Sequence, residues 1–221
     1  MLMILAVIFD WDGTIADTKK AVIQSFQKVL TQAGCNVTDE FILRLLGIGT
    51  KKTIIEAFKK CKKRLDVSTL EKLAEEKVTI QAELINDVRF IDGAIELLEL
   101  LHGKTKIALA TMSSRRVVDK ILLEKKIKTY FDVVVTADEV NKPKPNPEIF
   151  LSVAKKLGVD QKDCVVIEDS IFGVRAAKKA KMTCIAVPSG VYNKKELEQE
   201  HPDIVVNSLV EKETVLQFIF N

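Results

Sequence analysis

The stretch ILAVIFDWDGT, Ile4 to Thr14, restricts the possible folds of this chain more than any other. Ile4 to Phe9 is an unbroken apolar run bounded by polar turn residues, which suits a strand buried on both faces of a parallel sheet. It stops at Asp10, and a second carboxylate, Asp12, follows two positions later. In extended chain, residues i and i+2 point to the same side, so Asp10 and Asp12 face one space. Gly13 then lets the chain turn away. Two converging carboxylates repel each other, and a bound cation or a reaction must offset that cost.

The chain has 221 residues, enough for one α/β domain with an insertion and a sizeable core. Hydrophobic residues make up 47% and charged residues 29%, which excludes a disordered chain. A formal charge of +3, without basic residues interleaved with aromatics, gives no reason to expect nucleic acid. No apolar run reaches the length of a membrane span, and the opening residues read as a strand rather than a signal peptide. The expected compartment is therefore the cytoplasm, with no membrane partner and a monomer as the default state. Cys35, Cys61, Cys164 and Cys184 form no CxxC pair and are expected as buried, reduced thiols.

From about Asp17 to Asp87 the periodicity is helical throughout. Val22, Phe26, Val29, Leu30 and Ala33 form one apolar face that ends at Gly34. A second helix is predicted through Phe41, Ile42, Leu45 and Leu46, broken by Gly47-Ile48-Gly49-Thr50. A third carries Ile54, Ile55, Phe58 and Cys61, and a fourth runs from Ser68 to about Ile85. The lysines from Lys59 to Lys63 lie opposite the third helix's apolar stripe and read as a solvated face. After Arg89, strands alternate with helices: strands at Lys106–Thr111, Asp132–Thr136, Cys164–Ile167 and Met182–Val187, with a short edge strand at Asp203–Val206. This alternation implies βαβ crossovers. The predicted fold is α/β, a Rossmann-like parallel sheet core of residues 1–16 and 88–221 with an inserted α-helical cap of residues 17–87.

Ligands of open α/β sheets bind beyond the carboxyl ends of the strands. Four such ends carry polar groups: Asp10 with Asp12, Thr111 with Ser113, Lys142 after the third strand, and Glu168 with Asp169. The carboxylates suit a shared hard cation, and Mg²⁺ fits a site of few carboxylates plus substrate phosphate. Lys142 is then a point-charge donor to phosphate, with Thr111 and Ser113 positioned for its oxygens.

In this order and in these strand contexts, DWDGT, ATMSS, KPKP and VVIEDS resemble the haloacid dehalogenase superfamily, and the likeness covers nearly the whole chain. The resemblance implies a helical cap after the first strand and Asp10 as the nucleophile, forming an aspartyl phosphate. It implies Asp12 as general acid and then general base. It also implies Mg²⁺ held by Asp10, the Asp12 backbone carbonyl and Asp169, with Glu168 binding directly or through water. Thr111 would bind the transferring phosphoryl group. KPxP spacing assigns the partner lysine to Lys142 rather than Lys144.

The pattern is similar to phosphoglycolate phosphatase, phosphosugar phosphatases and beta-phosphoglucomutase, which differ in the cap. Mutases of this group place a histidine in the first cap helix and basic residues around a cap loop. Here Val22 occupies the helix position, and LLGIGTKKTI has Leu46 and Thr50 where the basic residues would stand, with Lys51 able to replace one of them. Hydrolysis of a small phosphorylated metabolite is the expectation, with Gly47, Lys51, Met112 and Ser113 against the substrate. A beta-phosphoglucomutase-like mutase is the alternative, and a non-catalytic phosphate-binding regulator is the alternative of another class.

Overall fold

The computed structural model describes residues 4–221, so residues 1–3 of the expected 1–16 core segment lie outside the described residues. β1 (Ala6–Phe9) is buried at every position. It pairs in parallel with β4 (Lys106–Ala110) on one side and β6 (Cys164–Glu168) on the other. Its alternate residues feed two different cores, as the twofold period of a strand requires. Val7 and Phe9 pack with Leu97, Leu98, Val117 and Val215, whereas Ala6 and Ile8 pack with Phe150, Val153, Val174 and Ala177.

After β1 the chain makes β2 (Ala16–Asp17) and then four helices. These are α1 (Lys19–Gln32), α2 (Asp39–Leu43), α3 (Thr50–Lys60) and α4 (Val67–Leu84). It returns through β3 (Arg89–Phe90), which pairs antiparallel with β2 in a two-stranded ribbon, Ala16 against Phe90 and Asp17 against Arg89. α5 (Ala94–Leu101), β4, α6 (Arg115–Glu124), β5 (Val133–Val135), α7 (Glu148–Leu157) and β6 follow. α8 (Ile171–Lys179), β7 (Thr183–Ala186), α9 (Lys194–Glu198), β8 (Ile204–Val205) and α10 (Lys212–Phe220) complete the chain. The main sheet is parallel throughout, in the order β5-β4-β1-β6-β7-β8. Strand order reverses at β1, and the switch point therefore falls at its carboxyl end, beside Asp10.

The helical insertion has a hydrophobic cluster of its own. Val22, Phe26, Val29 and Leu30 of α1 pack with Ile42 of α2, Ile54 and Phe58 of α3, and Leu73 and Ile80 of α4. Truncating Ile54, which is fully buried there, costs about 2–5 kcal/mol. α1 starts after Thr18 and ends before Gly34, as the periodicity predicts. α2 is shorter than expected. Leu45 and Leu46 donate their backbone N–H groups three residues back, to Ile42 and Leu43 at 3.1 and 3.0 Å, which makes tight turns in place of helix.

One expectation is corrected here. Cys35 and Cys61 are joined in a disulfide, so only Cys164 and Cys184, buried in β6 and β7, are free thiols. Cys35 follows the turn that ends α1 and Cys61 caps α3. Two helix ends meet there at a sequence separation of 26, a proximity that no local cysteine motif announces. Among the described residues, no helix is long and apolar enough to cross a membrane.

Candidate active site

β1 delivers Asp10 directly into the site, because the strand hydrogen bonds continue one residue past it: Asp10 N donates to Ile167 O at 3.0 Å. β6 ends in Glu168, and Asp169 follows it directly in the chain. Asp10, Glu168 and Asp169 are all buried, and each offers a carboxylate oxygen within 4.8 Å of the others. Burial pushes the Asp10 carboxyl well above the usual carboxylate range; Lys144 pulls it down, while Glu168 and Asp12 push it up again. Burial raises Asp169 as well, helped by Glu168 and Asp10. Three buried carboxylates thus meet a single ammonium, and a divalent cation fits this excess of negative oxygen.

That ammonium belongs to Lys144, not to Lys142 as the sequence reading expects. Lys144 Nζ donates to Asp10 Oδ1 at 2.5 Å, Glu168 Oε1 at 2.6 Å and Ala110 O at 3.3 Å. Burial lowers its affinity for the proton, but the two carboxylates outweigh that and hold it above its ordinary value. Lys142 is exposed. Glu148 at the start of α7 accepts the backbone N–H groups of Asn141 and Lys142 at 2.8 and 2.9 Å, which fixes Lys142 on the outer side of the loop. The second lysine of KPKP then turns inward.

Asp12 is held by hydroxyls. Thr18 Oγ1 donates to its Oδ1 at 2.5 Å, and Ser113 Oγ and Thr111 Oγ1 to its Oδ2 at 2.6 and 3.3 Å. Thr111 Oγ1 also accepts from Ser113 N at 3.0 Å, tying the loop after β4 to the loop after β1. Glu168 has both oxygens engaged, because Oε2 accepts from Asp169 N, Ser170 N and Ser170 Oγ at 2.9, 2.9 and 3.0 Å. Asp169 Oδ1 accepts from Thr14 Oγ1 at 3.2 Å. A side chain at Gly190 would collide with Asp169 Oδ2, and one at Gly173 with the Glu168 carboxylate. Bare backbone is what lets these acids sit so deep.

The cap closes over this centre. A small chamber beside Asp12 is lined by Phe26, Gly47, Thr53, Lys77, Met112 and Ser113. Arg44, at the end of α2, pairs with Glu196 at 2.6 Å and stacks 4.3 Å over the Tyr192 ring, while Tyr192 OH donates to Arg44 O at 2.6 Å. Of the expected substrate residues, Gly47, Met112 and Ser113 reach the chamber. Lys51 does not: it pairs with Glu71 at 2.7 Å in an exposed groove alongside.

The sequence matches the family described as haloacid dehalogenase-like hydrolase over residues 7–187. The chain belongs to that family. It is 30% identical over 181 residues to the fructose-1-phosphate phosphatase YqaB of Escherichia coli (strain K12), covering 82% of this chain and 95% of that protein. It is 33% identical over 177 residues to a phosphorylated carbohydrates phosphatase of Thermotoga maritima, covering 79% of this chain and 81% of that one. Two relatives from Arabidopsis thaliana are longer, and the chain spans 18% and 53% of their lengths. The crystal structure of beta-phosphoglucomutase from Clostridium difficile superimposes with a TM-score of 0.85 at 28% identity, covering 98% of this chain and 99% of that one.

Lys77 is the residue of this haloacid dehalogenase-like hydrolase that sequence reasoning missed. It lies in α4, buried, with its ammonium 4.4 Å from the Phe26 ring centre and bonded to Gln81 Oε1. Burial lowers its pKa to about 8, with Asp12 opposing. The available signal was its place between Ala74 and Val78, on the apolar side of the fourth helix, where a lysine without a function is costly.

Proposed function

We propose that this hydrolase is a Mg²⁺-dependent phosphatase that releases inorganic phosphate from a small phosphate monoester through an aspartyl phosphate on Asp10. One observation carries the reading: Asp10 is buried with Oδ1 bound to Lys144, and Asp12, two residues on, is oriented by three hydroxyl groups. A nucleophile and an acid–base group are thereby held apart and given different partners.

Asp10 is the nucleophile, held in place by Lys144. It forms a bond to phosphorus as the ester P–O bond breaks, and the departing alkoxide takes a proton from Asp12. Asp12 then takes a proton from the water that attacks the aspartyl phosphate, and phosphate leaves with Asp10 restored. Asp10, Asp169 and the Asp12 backbone carbonyl are the groups that would hold Mg²⁺, with Glu168 reached through water because both of its oxygens are engaged. The ion would supply charge neutralisation at the phosphoryl oxygens. Lys144 favours the ionised form of Asp10 against the effect of burial and orients it, and Thr111 and Ser113 fix the angle of Asp12.

The named activities of the E. coli and T. maritima relatives support a phosphosugar over a phosphoglycolate-like substrate. The alternative, a mutase, draws support from the likeness to beta-phosphoglucomutase. A mutase must bind the phosphate that is not reacting and keep water from its aspartyl phosphate. The cation lining the chamber among the described residues is Lys77 alone, and Lys51 is spent on Glu71 outside it, so hydrolysis is favoured. The cytoplasm remains the proposed compartment, and the Cys35–Cys61 disulfide is the feature that weighs against a fully reduced chain there.

The test is phosphate release from a panel of small phosphate esters with Mg²⁺, following isomers of a hexose 1-phosphate in parallel with a trace of the bisphosphate. Phosphate release from several esters is expected. Rapid isomerisation with little phosphate would establish the mutase, and binding without turnover would establish the regulator.

A further inference from the structure

Asp169 is held by shape as much as by hydrogen bonds. Thr14 Oγ1 donates to its Oδ1 at 3.2 Å, and its Oδ2 faces the bare Cα atoms of Gly13 and Gly190. A Cβ on either glycine would collide with that oxygen, and one on Gly13 would also stand 3.1 Å from the Gly190 Cα. The two glycines thus form a narrow slot for the carboxylate. Gly13, with φ +94°, belongs to the turn after β1, whereas Gly190 belongs to residues 188–192 between β7 and α9. One wall of the slot is therefore only as well placed as that segment.

The segment is anchored both to the core and to the cap. Ser189 Oγ donates to Gly13 O at 2.6 Å, which ties the two walls together. Lys19, at the start of α1, donates Nζ to Ser189 O at 3.2 Å. Two residues past Gly190, the buried Tyr192 donates its hydroxyl to Arg44 O at 2.6 Å, and the Arg44 guanidinium lies 4.3 Å over its ring. Glu196 completes the clamp: Oε1 pairs with Arg44 at 2.6 Å, and Oε2 accepts the N–H of Asn193, next to Tyr192, at 2.9 Å. A cap residue thereby braces, through two residues of backbone, one wall of the slot that holds an acid of the metal cluster.

We propose that Tyr192 and Arg44 are positioning residues for Asp169: their contact lets the cap brace residues 188–192, so that Gly190 holds the Asp169 carboxylate preset for Mg²⁺. This rests on the reading of Asp169 as a Mg²⁺ ligand and involves no group of the substrate. Loosening the clamp leaves every acid in place but lets Gly190 draw back, and Asp169 loses the orientation that its surroundings impose. Binding of the ion then carries the cost of restoring that orientation.

The experiment measures the Kd of Mg²⁺ by calorimetry, without substrate, for wild type, Tyr192→Phe, Arg44→Met and Arg116→Met, each shown by melting to be folded. Arg116 joins core to cap elsewhere, at Glu75 and Thr79 of α4 at 3.2 and 3.1 Å, and is the control for general loosening of the cap. Tyr192→Phe keeps the ring and loses one hydrogen bond, so it should raise Kd by about three- to tenfold. Arg44→Met should raise it at least as much, and Arg116→Met by less than about twofold. Saturating Mg²⁺ should return kcat of Tyr192→Phe to within about twofold of wild type, which a merely structural defect would not allow. A Kd unmoved in both clamp variants, or moved equally by Arg116→Met, would overturn the proposal. Wild type that binds no Mg²⁺ would overturn the metal site and this inference with it. Wild type that binds Mg²⁺ but turns over no ester would overturn the phosphatase reading alone, since the Kd comparison is made without turnover.

Discussion

Lys144 stands 2.5 Å from Asp10 and 2.6 Å from Glu168 with its side chain wholly buried, so one ammonium is shared by two carboxylates at the end of the central strand. Removing one partner of a buried charge cluster strands the others, which costs about 3–5 kcal/mol. Lys144→Met should therefore lower Tm and cut kcat by about 100-fold or more. Lys142→Met should change neither beyond about twofold, because the Lys142 side chain is exposed. Thermal melts and steady-state kinetics on the two variants decide it, and the reverse ranking would return the role to Lys142.

The two neighbouring acids divide their duties differently. Glu168 is occupied by Lys144 and by the N–H groups of Asp169 and Ser170, whereas among the described residues Asp169 has only Thr14 on Oδ1. Asp169→Ala should raise the Mg²⁺ concentration for half-maximal activity by about tenfold or more. Glu168→Ala should act first on stability. Mg²⁺ titrations of activity paired with melts separate them, and an Mg²⁺ requirement shifted more by Glu168→Ala would reverse the ranking of the ligands.

Much of this was legible because β1 is an uninterrupted apolar strand that ends in a carboxylate. Burial on both faces, the parallel neighbours and the switch point all follow from that one stretch. The choice between Lys142 and Lys144 was not legible. Both lysines of KPKP precede proline, and what separates them is Glu148, six residues beyond Lys142, gripping the outer backbone. Lys77 was hidden for a related reason: a helical pattern assigns it to a face but not to a chamber built from the loops of another segment. The Cys35–Cys61 contact depends on how two helix ends meet, which is a matter of tertiary packing.

Lys77 gives a pH prediction. Its pKa in the folded protein is about 8, below the ordinary 10.5, so between these values the unfolded chain holds more protons than the folded one. Stability contributed by this site accordingly rises as pH goes from about 8 to 10.5, and Lys77→Met should remove that rise. If the ammonium meets substrate, kcat/KM of wild type should fall as pH passes about 8, and the variant should lack that limb. The groups that share its surroundings are Asp12 and Gln81, and the pH dependence of Tm in Asp12→Asn, a variant without turnover, serves as the control for their coupling. A wild-type profile flat through pH 9 would contradict the assignment.

The disulfide links positions at a sequence separation of 26 in the cap, which corresponds to about 3.5 kcal/mol of stabilisation in the loop-entropy description. Denatured, unreduced protein should show two reactive thiols and reduced protein four. Cys35→Ser should lower Tm under oxidising conditions and leave it unchanged in reductant. Four free thiols without reductant would remove the bridge from the account.

The central claim is that Asp10 is the nucleophile of a phosphatase. Asn is nearly isosteric with Asp but cannot attack phosphorus, so Asp10→Asn should fold normally and lose turnover altogether. The decisive measurement is phosphate release from a hexose phosphate with Mg²⁺ by wild type and by Asp10→Asn protein free of deamidated material. The account predicts steady release by wild type and none above background by the variant. A variant that retains even a few per cent of the wild-type rate would contradict it.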